Sequence, residues 1–245
     1  MTLDEIITAA ARYLEKDRAD LVIDNLDFGL VAINQVRRTA EQFNDFNFTR
    51  KFLQVSVDGV TGGSLDEAVE YGSDCSCKLA IKTIIDVGIF DTVGNFLPVE
   101  WTTASDSLNR QRLDNSFFVP RFPTDGQALC GPIGQRRFMF GGRKVFYFPR
   151  TTNLTITLAF AAYTFTPDWT VDELDSEPTN NDPWVVHGAQ YLQWQTLIQL
   201  NHLYKGFVFR QEGNLPPPKE LADAGLESMK TWDNFQFEQF RRHSR

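Results

Sequence analysis

The stretch AEQFNDFNFTRKF, residues 40–52, lies where the hydrophobic pattern of this chain changes from the period of a helix to that of a strand. Before it, apolar residues recur every three or four positions, as on one face of a helix. These residues are Ile23, Leu26, Leu30, Ile33, Val36, Ala40 and Phe43. After Thr49 apolar and polar residues alternate, beginning with LQVSV at 53–57. The pattern therefore predicts a long helix over about 20–44 that is followed by β-structure.

The four phenylalanines of this stretch divide between the two patterns. Phe43 continues the helical stripe, so it is predicted to belong to the core. Phe46, Phe48 and Phe52 share a period of two and are predicted to belong to the start of the β-region.

A shorter helix is predicted for the thirteen residues after Thr2. Thr2 and Glu5 have the spacing of a capping box, in which each side chain accepts a hydrogen bond from the other residue's backbone amide. The long helix is predicted to begin near Asp17 or Asp20. A single helix of that length has to pack against other helices.

The middle of the chain is predicted to be a β-domain. KLAIKTIIDVGIF at 78–90 and NLTITLAFAAYTF at 153–165 have the composition of long strands. Between them, Gly141 and Gly142 separate two aromatic runs and predict a hairpin, because glycine tolerates the positive φ of tight turns.

Helices return towards the end of the chain. Asn181 or Asp182 is the predicted cap of a helix with Pro183 at its first position and Gly206 as its stop. A last helix is predicted from about Lys219.

The predicted fold class is α+β: a helical bundle built from both chain ends with an inserted antiparallel, β-barrel-like domain. The predicted parts are the N-terminal helices at 1–49, the β-domain at 50–167, an acidic and solvated linker at 168–182, and the C-terminal helices with a docking tail at 183–245.

Charge and composition limit the possible functions. Among 245 residues the net charge is −8, so bulk charge does not hold this protein on nucleic acid. The first residues carry Asp4 and Glu5 instead of the bases of a secretory signal, and no apolar run approaches the length of a membrane span. Three cysteines are too few for a disulfide framework. We expect a soluble protein made in the cytoplasm, with reduced thiols.

Catalytic and metal-binding motifs are not recognisable. His187 and His202 lie fifteen residues apart on one predicted helix, too far to share a metal ion. Cys75 and Cys77 lack the second pair that a structural zinc site needs. The sequence therefore predicts no enzyme activity, no cofactor and no metal.

Two motifs in the N-terminal region carry a resemblance. The long helix contains Ala32, Ile33, Asn34, Arg37 and Arg38, and the junction contains Asp45, Phe46, Phe48, Thr49 and Arg50. Together with the order of helices, inserted β-domain and closing helices, these residues resemble the head-to-tail adaptor proteins of tailed bacteriophages. The resemblance covers residues 1–50 and about 183–240.

The resemblance implies a structural role at the neck of a virion assembled in the bacterial cytoplasm. Copies of such adaptors form a ring, commonly of twelve, between the portal protein and a tail component. The ring seals the packaged genome and lets double-stranded DNA pass at ejection, without sequence-specific binding and without a membrane. In this interpretation the junction phenylalanines fix the long helix to the inserted domain, although they are equally compatible with a hydrophobic hinge in any protein.

Two other classes of function stay open. One is a cytoplasmic binding module that holds a small ligand in its β-barrel. The other is a hydrolase with scattered carboxylates, which no spacing supports.

Two sets of residues are candidates for partner binding. The end of the chain offers aromatic anchors and arginines, which are typical of a tail that becomes ordered on contact; a frayed terminus without a role is the alternative. These residues are Phe235, Phe237, Phe240, Arg241, Arg242 and Arg245. The predicted hairpin tip offers Arg143 and Lys144, for which contact with phosphate, contact with a partner and a solvated turn all stay open.

Overall fold

The computed structural model describes residues 2–71, 79–90, 96–103, 137–148, 155–174, 182–203 and 216–243. The chain divides into two compact units. The helical unit comprises Met1–Thr49 and Thr166–Arg245, and the β-unit comprises Arg50–Phe165. The fold is therefore mixed: the helical unit also holds one two-stranded sheet, and the β-unit holds the larger sheets. The β-unit ends two residues before the predicted β-domain, 50–167, and the predicted linker, 168–182, falls within the helical unit.

Helix α1, Leu3–Tyr13, begins with the predicted capping box. The backbone amide of Thr2 donates to Glu5 Oε2 at 2.8 Å, and the amide of Glu5 donates to Thr2 Oγ1 at 3.1 Å. The helix buries one face, which includes Ile6, Ile7 and Ala10.

The second helix begins later than predicted. Helix α2 spans Phe28–Phe43, and a short antiparallel hairpin of β1, Val22–Ile23, and β2, Leu26–Asp27, precedes it. The two turn residues, Asp24 and Asn25, have φ of 51° and 64°, the backbone that a type I′ turn needs and that Asp and Asn tolerate. The prediction was wrong because apolar side chains three residues apart also occur on opposite arms of such a hairpin.

Phe43 is exposed, contrary to the prediction that it belongs to the core. It is the last residue of α2, and 77% of its surface is accessible to solvent. The helical stripe continues through Phe43 in the sequence, but α2 ends there and the backbone becomes extended at Asn44. Phe46, which is only 1% exposed, is the aromatic that enters the core.

The predicted start of the next helix is confirmed. Asp182 caps it by accepting from the amide of Trp184, and Pro183 occupies the first turn. This helix, α3, ends at Val186, however, and α4 runs over Ala189–Leu203, so the predicted single helix is broken at Gly188. Its predicted stop, Gly206, lies outside the described residues. The last helix, α5, spans Pro218–His243.

One hydrophobic core joins the helices of the helical unit. Its most buried side chains come from all parts of the two chain segments, including the loop before α3. They include Ile6, Ile7, Leu21, Ile33, Phe46, Trp184, Leu192, Leu200 and Met229. Two chain ends therefore build a single core, as an insertion between them requires.

The described residues of the β-unit form two sheets. The first has the order β5–β3–β11–β6–β7 and the second the order β4–β10–β9–β8. The strands are β3 Arg50–Asp58, β4 Gly63–Ser64, β5 Val69–Glu70, β6 Ala80–Phe90, β7 Phe96–Pro98, β8 Glu100–Thr103, β9 Arg137–Gly141, β10 Lys144–Phe148 and β11 Thr155–Phe165.

Strand β11 is the centre of the first sheet. It pairs with β3 on one side, where Phe160 faces Leu53, and with β6 on the other. Phe138 and Phe140 of the second sheet bury their side chains in the same core as Leu53 and Phe160. Among the strands that the structure describes, pairing is antiparallel, as predicted, except between β8 and β9, which run parallel. Among the described strands, no pairing closes the two sheets into a barrel.

The predicted glycine hairpin is confirmed, with its turn shifted by one residue. Gly141 pairs with Lys144, so the two turn residues are Gly142 and Arg143. Gly142 has φ +61°, as the first turn residue of a type II′ hairpin requires.

Candidate partner-binding site

The residues of the first resemblance motif hold the segment that leads back from the β-unit. Asn34 of α2 and Trp169 exchange two hydrogen bonds: Asn34 Nδ2 donates to the carbonyl of Trp169, and the amide of Trp169 donates to Asn34 Oδ1, both at 2.9 Å. Trp169 is almost fully buried. Asn34 therefore has a structural role in this chain.

Arg37 is completely buried beneath the same segment. Its Nη2 donates to the carbonyls of Pro167 and, at 3.4 Å, Thr166, and its guanidinium lies 3.8 Å from the centre of the Trp169 ring. Burial lowers the pKa of Arg37, although the neighbouring carboxylate of Glu41 acts in the opposite direction. Within the described residues, its Nε and Nη1 atoms have no hydrogen-bond partner.

Glu41 completes this buried polar cluster. It is 1% exposed and accepts from the amide of Thr166 at 3.0 Å, from the Thr166 hydroxyl at 2.5 Å and from Trp184 Nε1 at 2.8 Å. A buried carboxylate is tolerated only when such donors satisfy it. Glu41 thus joins α2 to Thr166 and to α3.

The predicted acidic linker is in part a packed segment. Asp168 lies 2.8 Å from Arg38 Nε, and Asp182 accepts from Trp169 Nε1 at 3.0 Å while it caps α3. Leu174 of the same segment is buried. Of the described linker residues, Asp168 and residues 170–173 are exposed, as a solvated connection requires, whereas Trp169 and Leu174 are buried. The rest of the linker, residues 175–181, lies outside the described ranges.

The second resemblance motif packs inside the helical unit. The ring of Phe46 meets Trp184 edge-on at 5.1 Å and stacks on Phe48 at 5.2 Å. Phe48 also approaches Trp232 of α5, at 6.4 Å between ring centres. Phe46 and Phe48 therefore belong to the helical core, and the predicted assignment to the strand pattern is wrong for them.

Asp233 is a buried, hydrogen-bonded residue that the sequence analysis did not predict. It lies on the buried side of α5, is 4% exposed, and accepts from the amides of Asn47 and Phe48 at 2.7 and 3.1 Å. The side chain of Asn47 donates a third hydrogen bond to it at 3.0 Å. Its spacing of four residues from buried Met229 was the available signal, because it places an acid on the apolar stripe. Asp233 fixes the backbone that leads into β3.

The end of α5 is helical and exposed. Beyond Asp233, Phe235 and Phe237 are 56% and 38% exposed. The helix continues to His243, so the expectation of a tail that orders only on contact is wrong for residues 234–243: a helix already nucleated in the bundle gains one hydrogen bond with each added residue.

The structure describes the other predicted tail residues only in part. Phe240, Arg241 and Arg242 belong to α5, but their side chains lie outside the description. Arg245 lies outside the described residues altogether.

The hairpin tip is a separate candidate in the β-unit. Arg143 is 82% exposed at its side chain and pairs with Asp66 at 3.1 Å, and Lys144 is also exposed. An ion pair so open to water contributes little, so it does not prevent Arg143 from meeting a partner.

Histidines and cysteines form no site in the described part of the chain. No group of three or more His, Cys, Asp or Glu side chains could hold a metal ion there. His187 stacks on Trp232 with ring centres 3.8 Å apart, and burial lowers its pKa. Cys75 and Cys77 lie outside the described ranges. None of the helices described is both long and apolar enough to span a bilayer.

Models of known protein families give no match to this chain. Curated protein sequences give no match either.

Proposed function

We propose that this chain is a head-to-tail adaptor of a tailed bacteriophage, a structural protein of the virion neck. In this proposal about twelve copies, the number common in such adaptors, form a ring between the portal protein and a tail component. The ring seals the packaged DNA and lets it pass at ejection. The chain needs no cofactor for this role and catalyses no reaction.

The observation that carries the proposal is the exposed end of α5. Phe235 and Phe237 are 56% and 38% exposed, and they lie beyond Asp233, the last residue whose side chain is described as buried. Aromatic side chains are the usual anchors of protein interfaces, and arginines, which follow in the last turn, are the usual polar partners. A preformed helix that carries such anchors is suited to a groove on another protein.

The two resemblance motifs support the proposal in a second way. Their residues Asn34, Arg37, Phe46 and Phe48 hold the two places where the chain passes between the helical unit and the β-unit. An inserted domain that has to withstand assembly needs both of its connections fixed. The two described sheets of the β-unit share one core, which supports an inserted β-domain.

Attachment to portal-bearing capsids tests the function. We expect the full chain to bind such capsids, and a chain that lacks residues 234–245 to fail. The truncation retains Asp233, so its melting temperature should stay nearly unchanged. Truncated protein that still occupies the capsids at the wild-type level would show that residues 234–245 do not bind the portal. Failure of the full chain to bind at all would contradict the proposed function.

A further inference from the structure

The β1–β2 hairpin presents apolar side chains to solvent. Val22, Ile23 and Leu26 are 48%, 46% and 49% exposed, and we call residues 22–26 the apolar hairpin. Single exposed apolar residues need no explanation, but several that adjoin one another on one short element mark an interaction site.

The apolar hairpin is held in place from its base. Arg18 donates from Nε to Asp4 at 2.7 Å and from Nη1 to Asp27 at 3.0 Å, and Asp27 also caps α2 at the amide of Leu30. These contacts tie the hairpin to α1 and α2. A surface that is already ordered loses little conformational entropy when it binds.

The surroundings of the apolar hairpin are acidic. Residues 17–27 contain four aspartates and one arginine. That arginine, Arg18, is matched by Asp4 and Asp27; burial alone would lower its pKa, but these two hydrogen-bonded partners raise it. Asp24 is exposed at the turn itself. Complementarity therefore calls for a partner that combines apolar side chains with bases.

The end of α5 has that combination. Residues 234–245 contain three arginines and one acid, and Phe235 is 56% exposed. At about 100° of rotation per residue, Phe235 lies about 200° around the helix from buried Asp233, so it faces away from the core. Arg241 and Arg242 follow in the last turn of the same helix.

We propose that the apolar hairpin of one copy packs against the Phe235 side of α5 in a neighbouring copy. The inference rests on the proposed ring and names the contact that would build it. Both surfaces are exposed in the same chain, so they do not cover one another within it. Because the two surfaces differ, the contact is head-to-tail, the kind that closes into a ring.

The contact is weak when the protein is dilute. It involves a few side chains and falls short of the roughly 1,000 Å² that a stable interface buries. Free chains should therefore be monomeric and should associate when a portal holds them side by side. Phe237, about 200° from Phe235 on the helix, stays available to the portal.

Photo-crosslinking tests the contact directly. Phe235 is replaced by the photoreactive analogue p-benzoylphenylalanine, and the free protein is irradiated at about 1 mM, where a contact of millimolar affinity is half formed. We expect a ladder of covalent multimers in which position 235 is joined to the tryptic peptide 19–37 of another chain. The same analogue at Phe43, which is 77% exposed, controls for random collision and should give no such ladder.

A second variant tests the hairpin side. Replacing both Ile23 and Leu26 with Thr keeps residues compatible with strands but removes apolar contact, and should lower the yield of multimers about tenfold. Crosslinks that map elsewhere, equal yields from positions 43 and 235, or no effect of the hairpin variant would overturn the proposal. Because no portal is present, these outcomes are independent of capsid attachment, on which the proposed function depends.

Discussion

At the scale of single residues, two buried carboxylates organise the places where the chain leaves and re-enters the helical unit. Asp233 accepts three hydrogen bonds from Asn47 and Phe48, and Glu41 accepts three from Thr166 and Trp184. Each carboxylate has to be desolvated, and it is tolerated because backbone and side-chain donors replace water. The result is that the backbone at 47–48 and at Thr166 is held within the helical unit.

We expect Asp233→Asn to destabilise the helical unit by about 1–3 kcal/mol, because the amide group cannot accept from all three donors and leaves a buried one unsatisfied. Asp223 lies on the same helix and is exposed, so Asp223→Asn is a matched control that should change stability by less than about 0.5 kcal/mol. Chemical denaturation followed by tryptophan fluorescence measures both. Equal stability of the two variants would show that the hydrogen bonds accepted by Asp233 do not stabilise the helical unit.

His187 gives the helical unit a dependence on pH. Burial lowers its folded pKa below its ordinary value of about 6.5, so the unfolded chain takes up the proton first as the pH falls. Stability attributable to neutral His187 is therefore complete above about pH 6.5 and is lost as the pH falls through the folded pKa. Relative to His187→Gln, the melting temperature of the native protein should fall between pH 7.5 and 5.5. Parallel curves for the two proteins would exclude this effect.

At the scale of elements, the sequence predicted the helices and strands that rest on local chemistry. The Thr2–Glu5 box, the Asp182 cap with Pro183, and the hairpin near Gly142 depend on neighbouring residues, and all three are confirmed. The start of α2 was missed because Ile23 and Leu26, which pair across the turn at Asp24 and Asn25, have the same three-residue spacing as apolar residues on a helix.

Contacts between distant parts of the chain were not predictable. Asp233 and Asn47 lie 186 residues apart, and nothing local to either residue indicates the other. The close packing of Gly188, at the break between α3 and α4, was unpredictable for the same reason, because one of its neighbours is Met229 on α5. A β-carbon there would lie 2.8 Å from the Trp184 carbonyl oxygen and 2.9 Å from Met229 Sδ.

Gly188→Ala should therefore destabilise the helical unit by about 1–3 kcal/mol through overpacking, although alanine is intrinsically the better helix former. Gln190→Ala, an exposed change two residues away, serves as the control and should have an effect within about 0.5 kcal/mol. Thermal unfolding of both variants decides the matter. A stabilised Gly188→Ala protein would contradict overpacking at this site.

At the scale of the whole molecule, both ends of the chain form the helical unit, and the β-unit is inserted between them. The net charge of −8 suits a channel that DNA crosses, because an acidic ring does not retain phosphates through counterion release. The exposed aromatic end of α5 is the proposed portal-binding segment.

The free protein should show no measurable binding of duplex DNA at physiological salt, because its excess charge is acidic. Fluorescence anisotropy of a labelled duplex, titrated with protein at several salt concentrations, is the measurement. Tight binding that weakens steeply with salt would contradict a passive channel.

Electron microscopy of the chain mixed with its portal protein is the most direct test of the proposed adaptor function. We expect closed rings of this chain, about twelve copies each, stacked coaxially on one end of the portal. Without the portal, the chain should stay monomeric in dilute solution. A stable ring that forms without the portal would contradict the templated assembly. Portal particles that remain bare at saturating protein would contradict the adaptor function itself.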